Sequence, residues 1–294
     1  MENRTQTHGS EWPYFDLSQT LNNAKFSKKV FLVDGYRNGA TLRAVRLAAL
    51  SQRDNFSAGF SILDLIHSIP PLIQVDPYYL EGTRRQAQHF NRAPAWRHCK
   101  PELKAIFYQL AMLQQAAQSA CQLIPFTLDL TPKFVHRAFQ HKAGFIDYTK
   151  REIDKAMKSE LDRKPQYWFT VEMATVFGSP TSGRQRPHLH ASILLNDSET
   201  ESKRKQKTPI SRAFHKAVGK CPPDFSNRLL HLGNHRAYAE QVGISEIEAV
   251  INWPGYCLKL NTTARLHLKS KTNLTADNVT KRQAEALYGL LTPK

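Results

Sequence analysis

The chain of 294 residues is basic, with 41 Lys and Arg against 25 Asp and Glu and a formal net charge of +16. Hydrophobic residues make up 41% and charged residues 22%, which excludes a disordered chain, and no apolar run approaches the ~18 residues of a bilayer span. The positive charge favours nucleic acid as the partner, and no basic amphipathic helix with a bulky apolar face indicates a membrane-surface protein. The four cysteines form no C-x-x-C pair, which argues against a disulfide framework and a thiolate zinc site.

The first part of the chain shows mostly helical patterns. We expect residues 1–25 to form a flexible segment without a secretory signal, which indicates a cytoplasmic protein. Residues 26–120 are expected to form a mainly helical N-terminal domain of unknown role. Within it, Thr41–Asp54 carries the apolar stripe of an amphipathic helix, and Pro101 suits the first position of a helix that reaches about Cys121.

The pattern changes near residue 121. Alternation with period two predicts three strands, at Ile124–Thr131, Tyr167–Val176 and His188–Leu195. A helix from about Gly144 to Leu161 is expected between the first two, with its basic residues on the exposed side. Residues 121–270 are therefore expected to form an α+β domain with a central antiparallel sheet and flanking helices, followed by a C-terminal tail or helix at 271–294.

Two basic segments accompany this domain. A turn-rich loop precedes the third strand, and a basic insertion at 198–220 follows it, with a short helix beginning near Thr208-Pro209. We expect the insertion to be exposed, either as a solvated face or as an arm that contacts phosphates. The candidate DNA-binding residues are Arg184, Arg186, Lys203, Arg204, Lys205 and Lys207.

Two histidines give the first candidate site. His188 and His190 are two residues apart on a predicted strand, so both imidazoles project from one face and can converge on one ion. Neutral imidazoles are good ligands and leave coordination positions for phosphate oxygens. The alternative is two polar residues on the wet face of a sheet.

A third ligand can be inferred from strand pairing. A hairpin that turns around Ser182 sets Ala174 opposite His190 and places Glu172 one diagonal step away on the histidines' face. A register slip of one residue would turn Glu172 to the other face. It would then be a surface glutamate on an exposed strand.

A tyrosine and a lysine follow downstream. The stretch from Asn252 to Asn261 predicts a short helix opened by Pro254, with Tyr256 and Lys259 at positions i and i+3 on one surface. A phenol can attack a phosphodiester while an ammonium stabilises charge on the non-bridging oxygens. The alternative is a half-buried tyrosine beside an exposed lysine.

Together these motifs resemble those of the HUH endonuclease superfamily. Phe126-Thr127-Leu128-Asp129-Leu130-Thr131 is similar to its first motif, His188-Leu189-His190 to its His-hydrophobic-His motif, and Tyr256-Cys257-Leu258-Lys259 to its Y-x-x-K nucleophile motif. Because the tyrosine follows the histidines, the order resembles that of rolling-circle replication initiators of plasmids and filamentous phages. The resemblance covers roughly residues 121–270.

The resemblance implies a fold and an activity. It implies a five-stranded antiparallel sheet, a Mg²⁺ or Mn²⁺ ion, and nicking of one strand of single-stranded or hairpin origin DNA. By the same likeness, His188, His190 and Glu172 would be ligands, Tyr256 would keep the 5′-phosphate, and Lys259 would be its electrostatic helper. The chain has no G-x-x-x-x-G-K-[ST] loop, so unwinding is expected from a host helicase that acts with a polymerase.

Two other functions fit parts of the sequence. One is a non-catalytic DNA-binding regulator of replication on the same fold. The other is a histidine-based nucleotide hydrolase or ligase, which generally has a further histidine where Ser192 stands. Loss of covalent adducts in Tyr256→Phe would separate the nickase from the regulator, and steep salt dependence of DNA binding would argue against the small-molecule enzyme.

Overall fold

A computed structural model of the chain describes residues 39, 41–48, 65, 94–173, 187–201, 207–219, 229–259 and 261–291, without the side chains of 261–263. Residues 41–48 are helical, as the amphipathic pattern predicts, and the rest of Thr41–Asp54 lies outside the described residues. The segment 1–25, most of 26–93 and the loop at 174–186 also lie outside them. In the described part, no helix is both long and apolar enough to cross a membrane.

Five strands are described. They are β1 (Gln122–Asp129), β2 (Tyr167–Met173), β3 (Pro187–Leu195), β4 (Leu230–Leu232) and β5 (Leu274–Ala276). They form one sheet in the order β4-β1-β3-β2-β5, and every neighbouring pair is antiparallel. The expected α+β fold with a central antiparallel sheet of five strands is therefore confirmed, and the histidines lie on its middle strand.

Helices flank the sheet. A short 3-10 helix at Trp96–His98 precedes α1 (Pro101–Ala117), α2 (Pro132–Gln140), α3 (Phe145–Leu161), α4 (Asp197–Thr200), α5 (Pro209–Val218), α6 (His235–Val242), α7 (Glu246–Cys257), α8 (Asn261–Leu268) and α9 (Asn278–Gly289). Several begin with side-chain caps or with proline in the first turn, as their sequences favour.

Each face of the sheet buries its own core, because successive side chains of a strand point to opposite faces. Phe169, Val171, Leu189 and Ala191 pack with residues of α2, α3 and α5 on one face. Trp168 and other residues of alternate parity pack with α1, α7 and α9 on the opposite face. The even-numbered residues Glu172, His188 and His190 therefore share the side that α1, α7 and α9 cover.

The helix that ends the predicted N-terminal region packs on this sheet. Phe107 of α1 is fully buried, and its ring lies 5.0 Å from that of Tyr288 in α9. The division of the chain at residue 120 stays a prediction, but α1 contributes directly to the core beside the histidines' face. The fifth strand comes from the stretch expected to be a C-terminal tail.

Several predicted bounds need correction. The helix from Pro101 ends at Ala117 rather than Cys121, and β1 ends at Asp129 rather than Thr131. Thr131 caps α2 instead, since its hydroxyl accepts a hydrogen bond from the Phe134 amide at 3.3 Å. Pro132 therefore begins α2. This helix was not predicted, because the sequence pattern indicates Pro132 only as the end of a strand that reaches Thr131.

The insertion at 198–220 is not exposed throughout. Its helix α5 begins at Pro209 after the Thr208 cap, as predicted, but Ile210, Ala213 and Phe214 are buried against the α3 side of the sheet. The apolar stripe of α5 is buried against the sheet, although the segment around this helix is basic.

Candidate metal centre and adjoining tyrosine

Strand pairing brings three candidate ligands together. His188 pairs with Glu172 of β2, and His190 pairs with Thr170. The predicted register, which set Ala174 opposite His190, is wrong by four residues. Four is an even number, so Glu172 keeps the face that was expected and lies closer to His188 than predicted.

The three side chains are spaced as ligands of one cation would be. His190 Nε2 lies 2.8 Å from Glu172 Oε2, His188 Nε2 lies 3.6 Å from the same oxygen, and the two Nε2 atoms are 3.1 Å apart. Two donors at right angles, each ~2.1 Å from an octahedral ion, stand about 3.0 Å apart. The group formed by Glu172, His188 and His190 could therefore hold a metal ion.

The carboxylate is buried and incompletely satisfied. Glu172 is 4% exposed, and its Oε2 accepts no well-aligned hydrogen bond from the described residues, although His190 Nε2 is close. Burial acts to raise the pKa of Glu172, but the two neighbouring histidines together outweigh it and hold that pKa below its ordinary range. Glu172 is therefore ionised at neutral pH, the form that binds cations.

The buried histidine contacts a hydroxyl group through its second ring nitrogen. His190 Nδ1 lies 3.1 Å from Thr127 Oγ1 on β1. In the tautomer that carries its proton on Nδ1, the ring donates to that hydroxyl and leaves the Nε2 lone pair directed at the cluster. Burial is the largest effect on His190 and lowers its pKa, against the opposing effect of Glu172. Its imidazole is thus kept neutral, as metal ligation requires.

Helix α7 carries the candidate nucleophile over this cluster. It begins after Ser245, whose hydroxyl and the side chain of Glu248 form a capping box. The prediction that Pro254 opens a short helix is wrong, because Pro254 lies inside α7 and the helix ends at Cys257. The capping box at Ser245 is the stronger start signal.

Aromatic packing places Tyr256 beside the histidines. The centroid of its ring lies 5.1 Å from that of His190 and 5.3 Å from that of Trp253, with which it is nearly parallel. Trp253 donates from Nε1 to the Ala191 carbonyl of β3 at 3.1 Å. One buried tryptophan therefore ties α7 to the strand that carries both histidines and supports the tyrosine ring.

Lys259 lies between the phenol and the carboxylate. Its Nζ is 4.0 Å from the centroid of the Tyr256 ring and 3.7 Å from Glu172 Oε2. The residue stands just beyond the end of α7, and its amide donates to the Tyr256 carbonyl at 3.2 Å. The expected proximity of Tyr256 and Lys259 is thus found, although a terminal turn rather than a helix provides it.

A buried polar chain supports the other side of Trp253. Trp168 Nε1 donates to Gln109 Oε1 at 2.7 Å, and Gln109 Nε2 lies 3.1 Å from His235 Nε2. The His235 ring packs edge-on against Trp253, with centroids 6.3 Å apart. Burial lowers the pKa of His235 to about 4, so this ring is neutral at physiological pH. The chain connects α1 and the sheet to α6 and α7 behind the cluster.

Of the six candidate DNA-binding residues, Lys207 alone is among the described residues, and it lies away from this site. Arg184, Arg186, Lys203, Arg204 and Lys205 lie outside the described residues. Lys207 is exposed, and its Nζ lies 3.1 Å from His215 Nε2 of α5, which packs on the opposite face of the sheet.

Three residues near the cluster were given no individual role by the sequence, although Thr127 and Asp129 belong to the first of the three motifs. Thr127 contacts His190, Asp129 pairs with His188 across β1 and β3, and Trp253 supports Tyr256. The alternation of β1 already places Thr127 and Asp129 on one face. The pairing of β1 with β3, which no local pattern specifies, is what puts that face beside the histidines.

Comparison of the chain with protein-family models, curated proteins and solved structures finds no match. The case for a function therefore rests on the arrangement of these side chains.

Proposed function

We propose that this chain is a metal-dependent, single-strand DNA endonuclease and strand transferase that initiates rolling-circle-type replication, with Tyr256 as its nucleophile. The observation that carries the proposal is Lys259, whose Nζ lies within 4.0 Å of both Glu172 Oε2 and the centre of the Tyr256 ring. A cation-binding group, a phenol and an ammonium thus meet at one place, which is what phosphodiester attack by tyrosine needs.

Glu172, His188 and His190 would hold the ion. One carboxylate and two imidazoles leave positions for phosphate oxygens, and donor separations of 2.8, 3.1 and 3.6 Å suit Mg²⁺ or Mn²⁺. When bound, the ion supplies positive charge that polarises the phosphate and stabilises its transition state.

The residues of the chain carry the reaction itself. The Tyr256 oxygen loses its proton and forms a bond to phosphorus, while the bond from phosphorus to the deoxyribose 3′-oxygen breaks. The 3′-oxygen takes up a proton and leaves as a hydroxyl, and the 5′-phosphate stays on the tyrosine. Lys259 stabilises charge on the non-bridging oxygens, while Trp253 and Thr127 hold Tyr256 and His190 in place.

A pool of single-stranded oligonucleotides tests the proposal. Purified protein incubated with the pool and Mn²⁺ is expected to give an adduct that survives boiling in detergent and is absent when EDTA is present. Tyr256→Phe should abolish the adduct yet bind DNA as before. Tyr238→Phe, which changes a tyrosine of α6, is the matched control and should keep it.

The outcomes separate the nickase from the regulator. DNA binding without any adduct, over the whole pool and with either cation, would favour the non-catalytic regulator of replication on this fold. Sequencing the trapped oligonucleotide would identify the cleavage site, and the origin DNA and host helicase could then be sought with it.

A further inference from the structure

A second concentration of charge lies away from the candidate metal centre. Among the described residues, a shallow basin of about 340 Å³ beside α3 is lined by charged side chains alone: Asp147, Lys150, Arg151, Asp154, Lys155, Lys158 and Lys164. The sequence pattern gives the basic residues of this helix no role beyond that of a solvated side.

Internal contacts absorb part of the negative charge of the basin. Asp154 receives hydrogen bonds from Lys150 Nζ at 3.1 Å and from the Tyr167 hydroxyl at 2.7 Å. Asp147 faces Lys281 of α9, which also stands near Lys150 and Asp154. Burial is the largest effect on Lys281 and lowers its pKa, and Lys150 adds to that lowering.

Four exposed cations remain at the rim. Arg151, Lys155, Lys158 and Lys164 form no ion pair with any described residue. Arg151 and Lys158 are seven residues apart on one helix, a rise of about 10 Å. That length is greater than one phosphate group, so the cations of this helix are spaced to contact more than one phosphate of a strand.

The side chains that line the basin favour one class of partner over the others. No apolar side chain in the described part of the chain lines it, whereas insertion at a membrane surface uses bulky apolar residues beside the basic ones. Protein–protein interfaces are enriched in aromatic residues and depleted in lysine. The described lining of the basin is instead rich in lysine and contains no aromatic residue. Lysine and arginine without apolar neighbours are typical of contacts to the phosphates of nucleic acid.

The basin lies far from the candidate metal centre. Ile153 and Met157 of α3 are buried on the face of the sheet opposite Glu172 and the histidines. Lys164 precedes β2, and Glu172 stands near the far end of that strand, so the strand from Tyr167 to Glu172 alone places about 17 Å between them. One phosphate group cannot contact both places.

We propose that Arg151, Lys155, Lys158 and Lys164 form a second, sequence-independent binding surface for the phosphate backbone of a DNA strand. This surface holds DNA on the side of the sheet away from Tyr256 and needs no cation. It is independent of the proposed nickase, because it requires neither the metal ligands nor the tyrosine.

Binding of a labelled, single-stranded oligonucleotide of about 20 nucleotides, longer than a typical single-domain site, tests this surface. The protein carries Tyr256→Phe and the buffer contains EDTA, so that no cleavage interferes. The triple variant Arg151→Gln, Lys155→Gln, Lys158→Gln is expected to bind at least tenfold more weakly at physiological salt. Its slope of log affinity against log salt should become shallower by about two, because each lost contact to a single strand accounts for ~0.7.

A matched control removes three positive charges from the surface outside the basin. The triple variant Arg97→Gln, Lys100→Gln, Arg236→Gln changes three exposed residues outside the basin and should bind nearly as wild type does. Circular dichroism melting of both variants checks that the fold is kept.

The surface would be refuted if the basin variant bound DNA as wild type does, or if the control lost affinity equally. It would also be refuted if the basin substitutions weakened binding only to RNA of the same sequence, or only to vesicles containing phosphatidylserine. Absence of the Tyr256 adduct in the unmodified protein would count against the nickase and leave this result unaffected.

Discussion

At the scale of single residues, Glu172 determines the charge of the candidate metal centre. It is a buried carboxylate that faces two imidazoles and the ammonium of Lys259. Burying an ionised carboxylate is costly unless opposite charges compensate it. The low pKa of Glu172 shows that its surroundings favour the charged form, and removing that charge should weaken any cation bound there.

We expect Glu172→Gln to lower Mn²⁺ affinity at least tenfold. Substitution of a residue that only supports a metal ligand already lowers metal affinity about 10-fold or more, and Glu172 is itself a proposed ligand. Isothermal titration calorimetry measures the affinity directly. Glu160→Gln is the matched control, because that carboxylate is paired with Lys216 on the other side of the molecule and should leave affinity unchanged. Equal affinity of Glu172→Gln and wild type would remove Glu172 from the ligand set.

His235 gives a prediction about pH. Its folded-state pKa of about 4 lies below the ordinary value for histidine, because burial disfavours the charged ring. As pH falls, the unfolded chain takes up the proton first. The contribution of the neutral ring to stability is therefore complete above pH ~6.5 and is lost as pH falls towards 4.

Urea unfolding at pH 7 and pH 4.5 tests this contribution. Between these values, wild type should lose about 2–3 kcal/mol more of its unfolding free energy than His235→Gln does. The variant is compared with wild type at each pH, so that carboxylates titrating in both proteins cancel. A difference that stays constant between the two pH values would show that His235 is not kept neutral by the fold.

At the scale of elements, the attachment of α7 to β3 decides where Tyr256 lies. The attachment consists of the hydrogen bond from Trp253 to Ala191 and the stacking of Trp253 on Tyr256. A buried hydrogen bond of this kind contributes about 1 kcal/mol to stability. Its effect on the rate should be larger, because a displacement of 1 Å can reduce a rate about 100-fold.

Trp253→Phe keeps an aromatic ring but removes the donor. We expect the rate of adduct formation to fall about 10-fold to 100-fold, while Mn²⁺ affinity stays within twofold of wild type. Single-turnover kinetics at saturating DNA separate this effect from weaker binding. Trp96→Phe, a change in the aromatic cluster with Phe107 and Tyr288, should leave the rate unchanged. A loss of Mn²⁺ affinity in Trp253→Phe as large as the loss of rate would show a general disturbance instead.

The helices and strands also show which parts of the fold can be predicted from local sequence patterns. Period-two alternation was sufficient for β1, β2 and β3, each at least seven residues long. The strands β4 and β5 have three residues each, too few for alternation to be recognised. The start of α7 was misplaced because Pro254 was taken as a first-turn proline, whereas the capping box at Ser245 gives the start of the helix.

At the scale of the whole molecule, the sheet is what joins distant residues into one site. Glu172 and the histidines could be placed on one face from the sequence, because parity survives a register error of four residues. The positions of Thr127 and Trp253 could not be predicted from the sequence, because they depend on which strands pair and on where α7 crosses the sheet. Those contacts join segments more than 60 residues apart.

The two faces of the sheet have different chemistry. One carries the carboxylate and the imidazoles beneath α1, α7 and α9, and Tyr256 reaches them from α7. The other is covered by α2, α3 and α5, and the basic basin lies beside α3. Taken together, the two proposals place DNA binding on one side of this basic chain and strand cleavage on the other.

The most direct test is mass spectrometry of the covalent adduct. Protein incubated with a cleavable single-stranded oligonucleotide and Mn²⁺ is digested with nuclease and protease, and the modified peptide is sequenced. We expect a 5′-phosphonucleotide on the oxygen of Tyr256, and its yield should fall sharply in Glu172→Gln. A nucleotide on any other residue, or an equal yield in Glu172→Gln, would contradict the account.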